Sequence, residues 1–282
     1  MRVRLIVWLF CVPWFSAACV CAGAQEAKDL LPAKIRDAGV VNVAANATYP
    51  PFAFNDANGE SSGVEPDLMR AIAAKLGIKA VFTGLEFVTI MPSIQAGRFE
   101  VGLGGFFDTP ARREVARFID YMYAVDGLVT RVGNPDHISI VDLCGKSVSG
   151  SESSTEVTNL LALSKQCTDQ GKPAIDVVVL KGTPAQIVAV NSGRVAAACV
   201  TKAVTVYIAS QSGAGVESLP GIVPEASGVK QLDGIMVRKE EPELAQAMTA
   251  AMDALIADGT YAAIFKKWGL PRDLALPRAI LH

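Results

Sequence analysis

The sequence predicts an α/β protein of two lobes with parallel-rich sheets flanked by helices, on three observations. Its 282 residues exceed one ordinary domain and suit two medium ones, each able to bury a core. Short apolar runs of strand character alternate with helical patterns along most of the chain, which is the mark of parallel strands covered by helices. Two stretches, "IQAGRFEVGLGG" (94–105) and "VNSGRVAAACV" (190–200), both run from a helix end through Gly-Arg into a strand, so each half carries a similar unit. The glycine in each is also what helix capping alone demands.

Taken in order, the chain opens with two arginines, an apolar run from Leu5 to Phe15 and the small-residue pattern Ala22-Gly23-Ala24. That is the n-region, h-region and cleavage order of a secretory signal peptide, with cleavage expected after Ala24. "SAAC" is a poor lipoprotein signal around Cys19, because Ser16 stands where a larger aliphatic residue is usual. Beyond it no segment is long and apolar enough to span a bilayer. "VVNVAANA" (40–47) reads as the first buried strand. Leu68, Ile72 and Leu76 then repeat every four residues up to Gly77, a helix stripe with a C-terminal cap. "AVFTGL" (80–85), "VGLGG" (101–105), "LVTRVG" (128–133), "DVVVL" (176–180), "AAACV" (196–200) and "GIMVRK" (234–239) supply six more strands. Met248, Met252, Leu255 and Ile256 form a second stripe, opened by Pro242 and stopped by Gly259.

Charge and rare residues exclude several functions. Without residues 1–24, which hold two arginines and no acids, 24 basic side chains face 28 acidic ones, and such a surface argues against a nucleic-acid partner. Cys11, Cys19 and Cys21 leave with the signal, so Cys144, Cys167 and Cys199 remain. In an oxidising compartment Cys144 and Cys167 can pair, closing a loop worth about 3 kcal/mol. Cys199, inside the apolar "VAAACV", reads as an inert buried thiol. His137 and His282 are the two histidines, without clustered metal ligands, so hydrolase chemistry, metal chemistry and a cofactor are not expected.

Local signals point instead to anion binding. In "GGFFDTPARRE" (104–114) Thr109 can cap a helix, Pro110 suits its first position, and Arg112 falls in the first turn. A cation there opposes the helix dipole, so Arg112 either lies in solvent or faces an anion. Its planar fork matches a carboxylate, and Gly104 and Gly105 permit close backbone approach. In "GSESSTEV" Ser153 and Glu156 have capping-box spacing, leaving Ser154, Thr155 and exposed amides as a polar nest. An ordinary well-capped helix explains the same residues.

The segments "YPPFAFNDANGESSGVEPDL" (49–68), "MPSIQAGRFEVGLGGFFDTPARRE" (91–114), "DLCGKSV" (142–148), "GSESSTE" (150–156), "NSGRVAA" (191–197) and "ADGTYAAIFKKWG" (257–269) occur in order. As an ordered set they resemble the extracytoplasmic solute-binding proteins of polar amino acid ABC transporters, family 3. The resemblance covers nearly the whole chain after residue 24. It implies a type II periplasmic-binding-protein fold, a hinged clamp whose first lobe is residues 25–128 plus 228–282 and whose second lobe is 129–227, joined by two crossing strands. By the same resemblance Arg112 grips the ligand carboxylate, and Tyr49 and Phe87 pack against the ligand. Gly104, Gly105 and Phe107 offer backbone groups, while Ser154 and Thr155 contribute from the second lobe. Core packing is the plain alternative for the two aromatics. The "DLCGK" form with a later "QC" also resembles a subgroup in which the two cysteines pair, here Cys144 with Cys167.

One departure bears on the ligand. Members that bind amino acids usually have an aspartate eight residues after the second-lobe glycine, where it pairs with the ligand ammonium. Counting from Gly193 gives Thr201, and the acid usual three residues after the glycine is Ala196. A buried ammonium without a counter-charge costs several kcal/mol, so another acid substitutes, with Asp108, Glu152, Glu156 and Asp233 as candidates, or the ligand lacks the ammonium. The expected function is periplasmic capture of a small carboxylate-bearing solute by a monomer that delivers it to a membrane permease. Two alternatives stand beside it: a ligand-sensing or accessory module, and a cyclohexadienyl dehydratase-like enzyme using a buried cleft acid.

Overall fold

The computed structural model describes residues 27–211, 213–228 and 231–282; the expected signal peptide, with Cys11, Cys19 and Cys21, lies outside these. Helix α1 (Ala33–Ala38) leads into β1 (Val40–Asn46), whose last four residues are buried. A small sheet of β2 (Thr48–Tyr49), β3 (Ala53–Asn55) and β4 (Ser61–Ser62) follows. The predicted apolar stripe becomes α2 (Val64–Leu76), ended by Gly77. Leu68, Ile72 and Leu76 are all buried, each contributing about 1.5–3 kcal/mol of transfer free energy.

Six strands make the first large sheet. β5 (Lys79–Leu85) and β6 (Val101–Phe107) flank β1 in parallel, with α3 (Phe87–Gln95) crossing between them. On the far side of β6 the sheet turns antiparallel through β13 (Gln231–Arg238), β7 (Ala116–Ala124) and β14 (Ala275–Leu281). One face packs on α2 and α8 (Pro242–Ala257), the latter followed by α9 (Thr260–Lys267). Ile90 and Ile94 of α3 close the other face against Phe106, Phe118 and Met236.

The second sheet has the order β10-β9-β11-β8-β12. β9 (Ser147–Ser151), β10 (Asp176–Leu180) and β11 (Ala197–Thr201) are mutually parallel, β8 (Asp126–Arg131) runs against them, and the edge strand β12 (Val216–Ser218) pairs antiparallel with β8. Helices α5 (Thr155–Asp169), α6 (Gly182–Asn191) and α7 (Lys202–Ser210) complete it. The chain passes between the large sheets from β7 to β8 at Val125, and returns between β12 and β13. Cys144 and Cys167 form a disulfide with a Cα–Cα distance of 5.6 Å, tying the loop before β9 to α5, and Cys199 is a buried free thiol, both as expected.

The two Gly-Arg stretches occupy equivalent places. Gly97 and Gly193, with φ of 69° and 73°, each end a helix ahead of a central strand. One capping expectation is corrected by a single residue. Ser154, not Ser153, caps α5, its hydroxyl accepting from the amide of Val157 at 3.4 Å. Ser153 itself has a φ of 62°, so the turn that would let it cap Glu156 does not form.

Candidate functional site

In an open parallel sheet, ligand crevices lie beyond the carboxyl ends of the strands, and here those ends from both sheets face one another. One wall, from the first large sheet, the small sheet and the turns after their strands, presents Asn46, Thr48, Tyr49, Phe87, Gly104, Gly105 and Arg112; the other presents Ser151, Ser154, Thr155, Glu156, Gly182 and Thr183. Between them lies a narrow cleft with about 30 Å³ of free space.

Arg112 is positioned by α4 (Pro110–Arg113), a single turn capped by Thr109, whose hydroxyl accepts from the Arg112 amide at 3.3 Å. Its Nη1 donates to the Phe107 carbonyl at 2.8 Å and its Nη2 to the Ser153 carbonyl at 3.2 Å, so one side chain bonds both walls. The guanidinium carbon lies 5.4 Å from the Phe106 ring centre and 6.0 Å from that of Phe87. Those two rings stack at 4.5 Å, a platform that favours a cation. Desolvation lowers the Arg112 pKa, against the pull of Glu156, Asp233 and Asp108. Five N–H donors serve a guanidinium, which leaves donors for an anion in the cleft.

Gly105 shows why a glycine is needed. With a φ of 64°, a Cβ there would lie 2.7 Å from Cε1 of Tyr49. Its amide turns away from the cleft and donates to Oε2 of Glu65 at 3.0 Å, while the Tyr121 hydroxyl donates to Oε1 at 3.3 Å. Burial raises the Glu65 pKa to about 7, opposed by the Gly105 and Gly104 amides and Tyr121. Glu65 thus pins the glycine loop from behind, a role the sequence did not signal, since an acid in "VEPDL" reads as an ordinary first-turn helix residue.

Tyr49 stacks on Phe52 at 5.6 Å and crosses to the other wall, where its hydroxyl lies 2.7 Å from Oγ1 of Thr201. The Thr201 amide also points at it, at 3.4 Å. Burial pushes the Tyr49 hydroxyl pKa up. A second inter-wall contact joins the rings of Phe54 and Tyr207, 6.5 Å apart.

Of the nine residues singled out from the sequence, Tyr49, Phe87, Gly104, Gly105, Arg112, Ser154 and Thr155 line the cleft together. Phe107 is buried in β6 and sends its carbonyl to Arg112, and Thr201 is buried behind Tyr49. The four acids considered as ammonium partners separate clearly. Asp108 is taken by Arg113, at 2.6 Å, and by His282, at 2.7 Å; Glu152 is exposed; and Asp233 is fully buried in β13. Glu156 lines the cleft, buried, in the first turn of α5. Desolvation raises its pKa, opposed by its own amide, the Ser154 hydroxyl and Arg112.

Asn46, Thr48, Ser151, Gly182 and Thr183 also line the cleft. Thr48, Gly182 and Thr183 share a position just past a predicted strand, whereas Asn46 falls inside one and Ser151 ends β9, which the sequence did not signal. Asp108, Asp120 and His282 are the group of three potential metal ligands among the described residues. Arg113 already neutralises Asp108, so the cluster is built as an ion-pair network.

Residues 41–271 match the family described as bacterial extracellular solute-binding proteins, family 3. An arginine-binding protein of Corynebacterium glutamicum is 29% identical over 258 residues, 91% of this chain and 83% of that protein. The lysine/arginine/ornithine-binding periplasmic protein of Escherichia coli is 25% identical over 81% of this chain and 86% of its own length. Among solved structures, an ancestral arginine-binding protein bound to arginine superimposes with a TM-score of 0.69 at 32% identity, covering 82% of this chain and 98% of that one. An ancestral amino acid-binding protein, a precursor of cyclohexadienyl dehydratase, gives 0.69 at 27% identity over 83% of this chain and 97% of its own. With a type II two-lobed architecture, a cleft between the lobes and a family match over most of its length, the chain belongs to the bacterial extracellular solute-binding proteins of family 3.

Proposed function

We propose that the protein captures a small carboxylate-bearing solute, a polar amino acid or related organic acid, and presents it to the membrane permease of an ABC transporter. The carrying observation is Arg112, a guanidinium on an aromatic platform inside the inter-lobe cleft with hydrogen bonds to both walls. A ligand carboxylate receives the fork of Arg112 and the second wall's hydroxyls, and contacts to both walls stabilise the closed clamp over the open one. In this reading residues 25–128 and 228–282 form one lobe, residues 129–227 the other, and the crossings after β7 and before β13 are the hinge. The protein acts in the periplasm as a monomer. The relatives bearing names of amino-acid-binding proteins support delivery over turnover, and incubation with prephenate or arogenate is expected to leave both unchanged.

The test is Arg112→Ala, titrated calorimetrically against amino acids and their des-amino carboxylates after unfolding and refolding to strip bound ligand. Loss of a charge-assisted, two-pronged contact is expected to weaken binding about 100-fold or more, with the thermal midpoint of the ligand-free protein little changed. An unaltered dissociation constant sinks the carboxylate clamp.

A further inference from the structure

The cleft has a charge balance that the relatives' names do not suggest. Among the described residues, Arg112 and Glu156 are its charged lining residues. They come from opposite walls of the same cleft, Arg112 from the turn after β6 and Glu156 from the first turn of α5, beside the Ser153 carbonyl that accepts from Arg112. A ligand that satisfies both brings one anionic and one cationic group. A second ligand cation would meet Asn46, hydroxyls and backbone carbonyls, which accept hydrogen bonds without cancelling its charge, at a cost of several kcal/mol once buried.

Position 201 is closed to the ligand. Thr201 is 1% exposed, and its hydroxyl is engaged by Tyr49 at 2.7 Å. Asp126 stands beside it in the β8–β11 register, but is itself 1% exposed and does not line the cleft.

Resting on the carboxylate-binding reading above, we propose that the ligand is a net-neutral zwitterion whose cationic group pairs with Glu156, while Thr201 serves with Tyr49 as a latch between the lobes. The counter-charge has moved from the end of β11 to the start of α5. Cationic amino acids, which leave one charge unpaired, are discriminated against even though relatives are named for arginine.

The experiment titrates the purified, ligand-stripped protein with neutral amino acids, with arginine and lysine, and with the matched des-amino carboxylates, in wild type, Glu156→Gln and Thr201→Asp. Neutral amino acids are expected to bind tightest. Glu156→Gln should weaken them about 30-fold while changing the des-amino carboxylates less than about threefold. Thr201→Asp, buried behind Tyr49, should leave arginine and lysine ranked below the neutral amino acids. Tightest binding of arginine or lysine by wild type overturns the inference, as does a Glu156→Gln protein that binds neutral amino acids unchanged. Should Glu156→Gln not fold, the wild-type ranking decides alone. If des-amino carboxylates bind tightest and need Arg112, the inference falls and the carboxylate clamp stands. If no carboxylate in the panel binds, both fall.

Discussion

The units α3–Gly97–β6 and α6–Gly193–β11 start alike and end differently. Each passes from a helix through a left-handed glycine into a strand beside a parallel neighbour. β6 then runs on through Gly104, Gly105, Phe106 and Phe107 to the turn that carries Arg112. β11 stops at Thr201, and the next residue begins α7. A shared local device places both strands, and in the function proposed here the residues after the strand decide whether its end grips a ligand or closes the clamp.

The largest effect on this comparison is expected from adding one methyl group to each unit. Gly105→Ala forces an L-residue to a φ of 64° and drives its Cβ to within 2.7 Å of the Tyr49 ring, which Phe52 and Thr201 hold in place. The expected cost is about 2–3 kcal/mol of stability and at least about a tenfold loss of ligand affinity. Gly193→Ala meets the far end of one long side chain, the Arg131 guanidinium, with Nη1 at 2.9 Å and Nη2 paired to Asp136 at 2.6 Å. It is expected to cost about 1 kcal/mol and leave affinity unchanged. Urea melts and ligand titrations of the two variants check this, and equal loss of affinity in both breaks the comparison.

The same contrast shows what can be read from residues alone. The stripe Leu68, Ile72 and Leu76 is legible because burial on one helix face repeats every 3.6 residues, and "DVVVL" is the strand β10, residue for residue. β7 and β9 are not legible. "ARFIDYMYA" carries a buried Asp120 in mid-strand, and "SVSGS" has little apolar content because small residues suffice beneath α5 and α6. In the cleft, the resemblance supplied Arg112 and the loop around it, whereas Asn46, Ser151 and Thr183 come together through sheet order, which has no local signature. The cap at Ser154 was missed by one residue because "SSTE" permits either serine, and only backbone torsion decides.

Buried carboxyls sharpen the comparison next, because the glycine loop of the first wall rests on one. Glu65 is raised to about 7 and Asp120 to about 8, both chiefly by burial, from ordinary values of 4.5 and 3.8. The folded protein therefore holds protons that the unfolded chain releases at lower pH. Their contribution is fully present below pH 4 and is lost as pH rises through 7 to 8. The Glu65 part of this fall is about 2–3 kcal/mol between pH 5 and pH 8, and Glu65→Gln, which cannot ionise, should remove it and flatten the slope. Urea midpoints at several pH values measure it. A wild type that gains stability across this window shows that these carboxyls are ionised in the native state.

The smallest effect is expected at the end of β11, and its smallness is what distinguishes the two strand ends. Thr201→Val keeps the β-branched shape but removes the Oγ1 that meets the Tyr49 hydroxyl at 2.7 Å. A buried neutral hydrogen bond contributes about 1 kcal/mol. The closed state should therefore lose population, and the apparent dissociation constant should rise no more than about fivefold. Tyr49→Phe should do the same, and the double variant should add little, since both remove one interaction. Scattering from the ligand-free protein should show a larger radius of gyration in all three. If Thr201→Val instead weakens binding as much as Arg112→Ala, Thr201 touches the ligand after all. β11 would then be a second gripping strand, and the cationic group would have to be sought beside it instead of at Glu156.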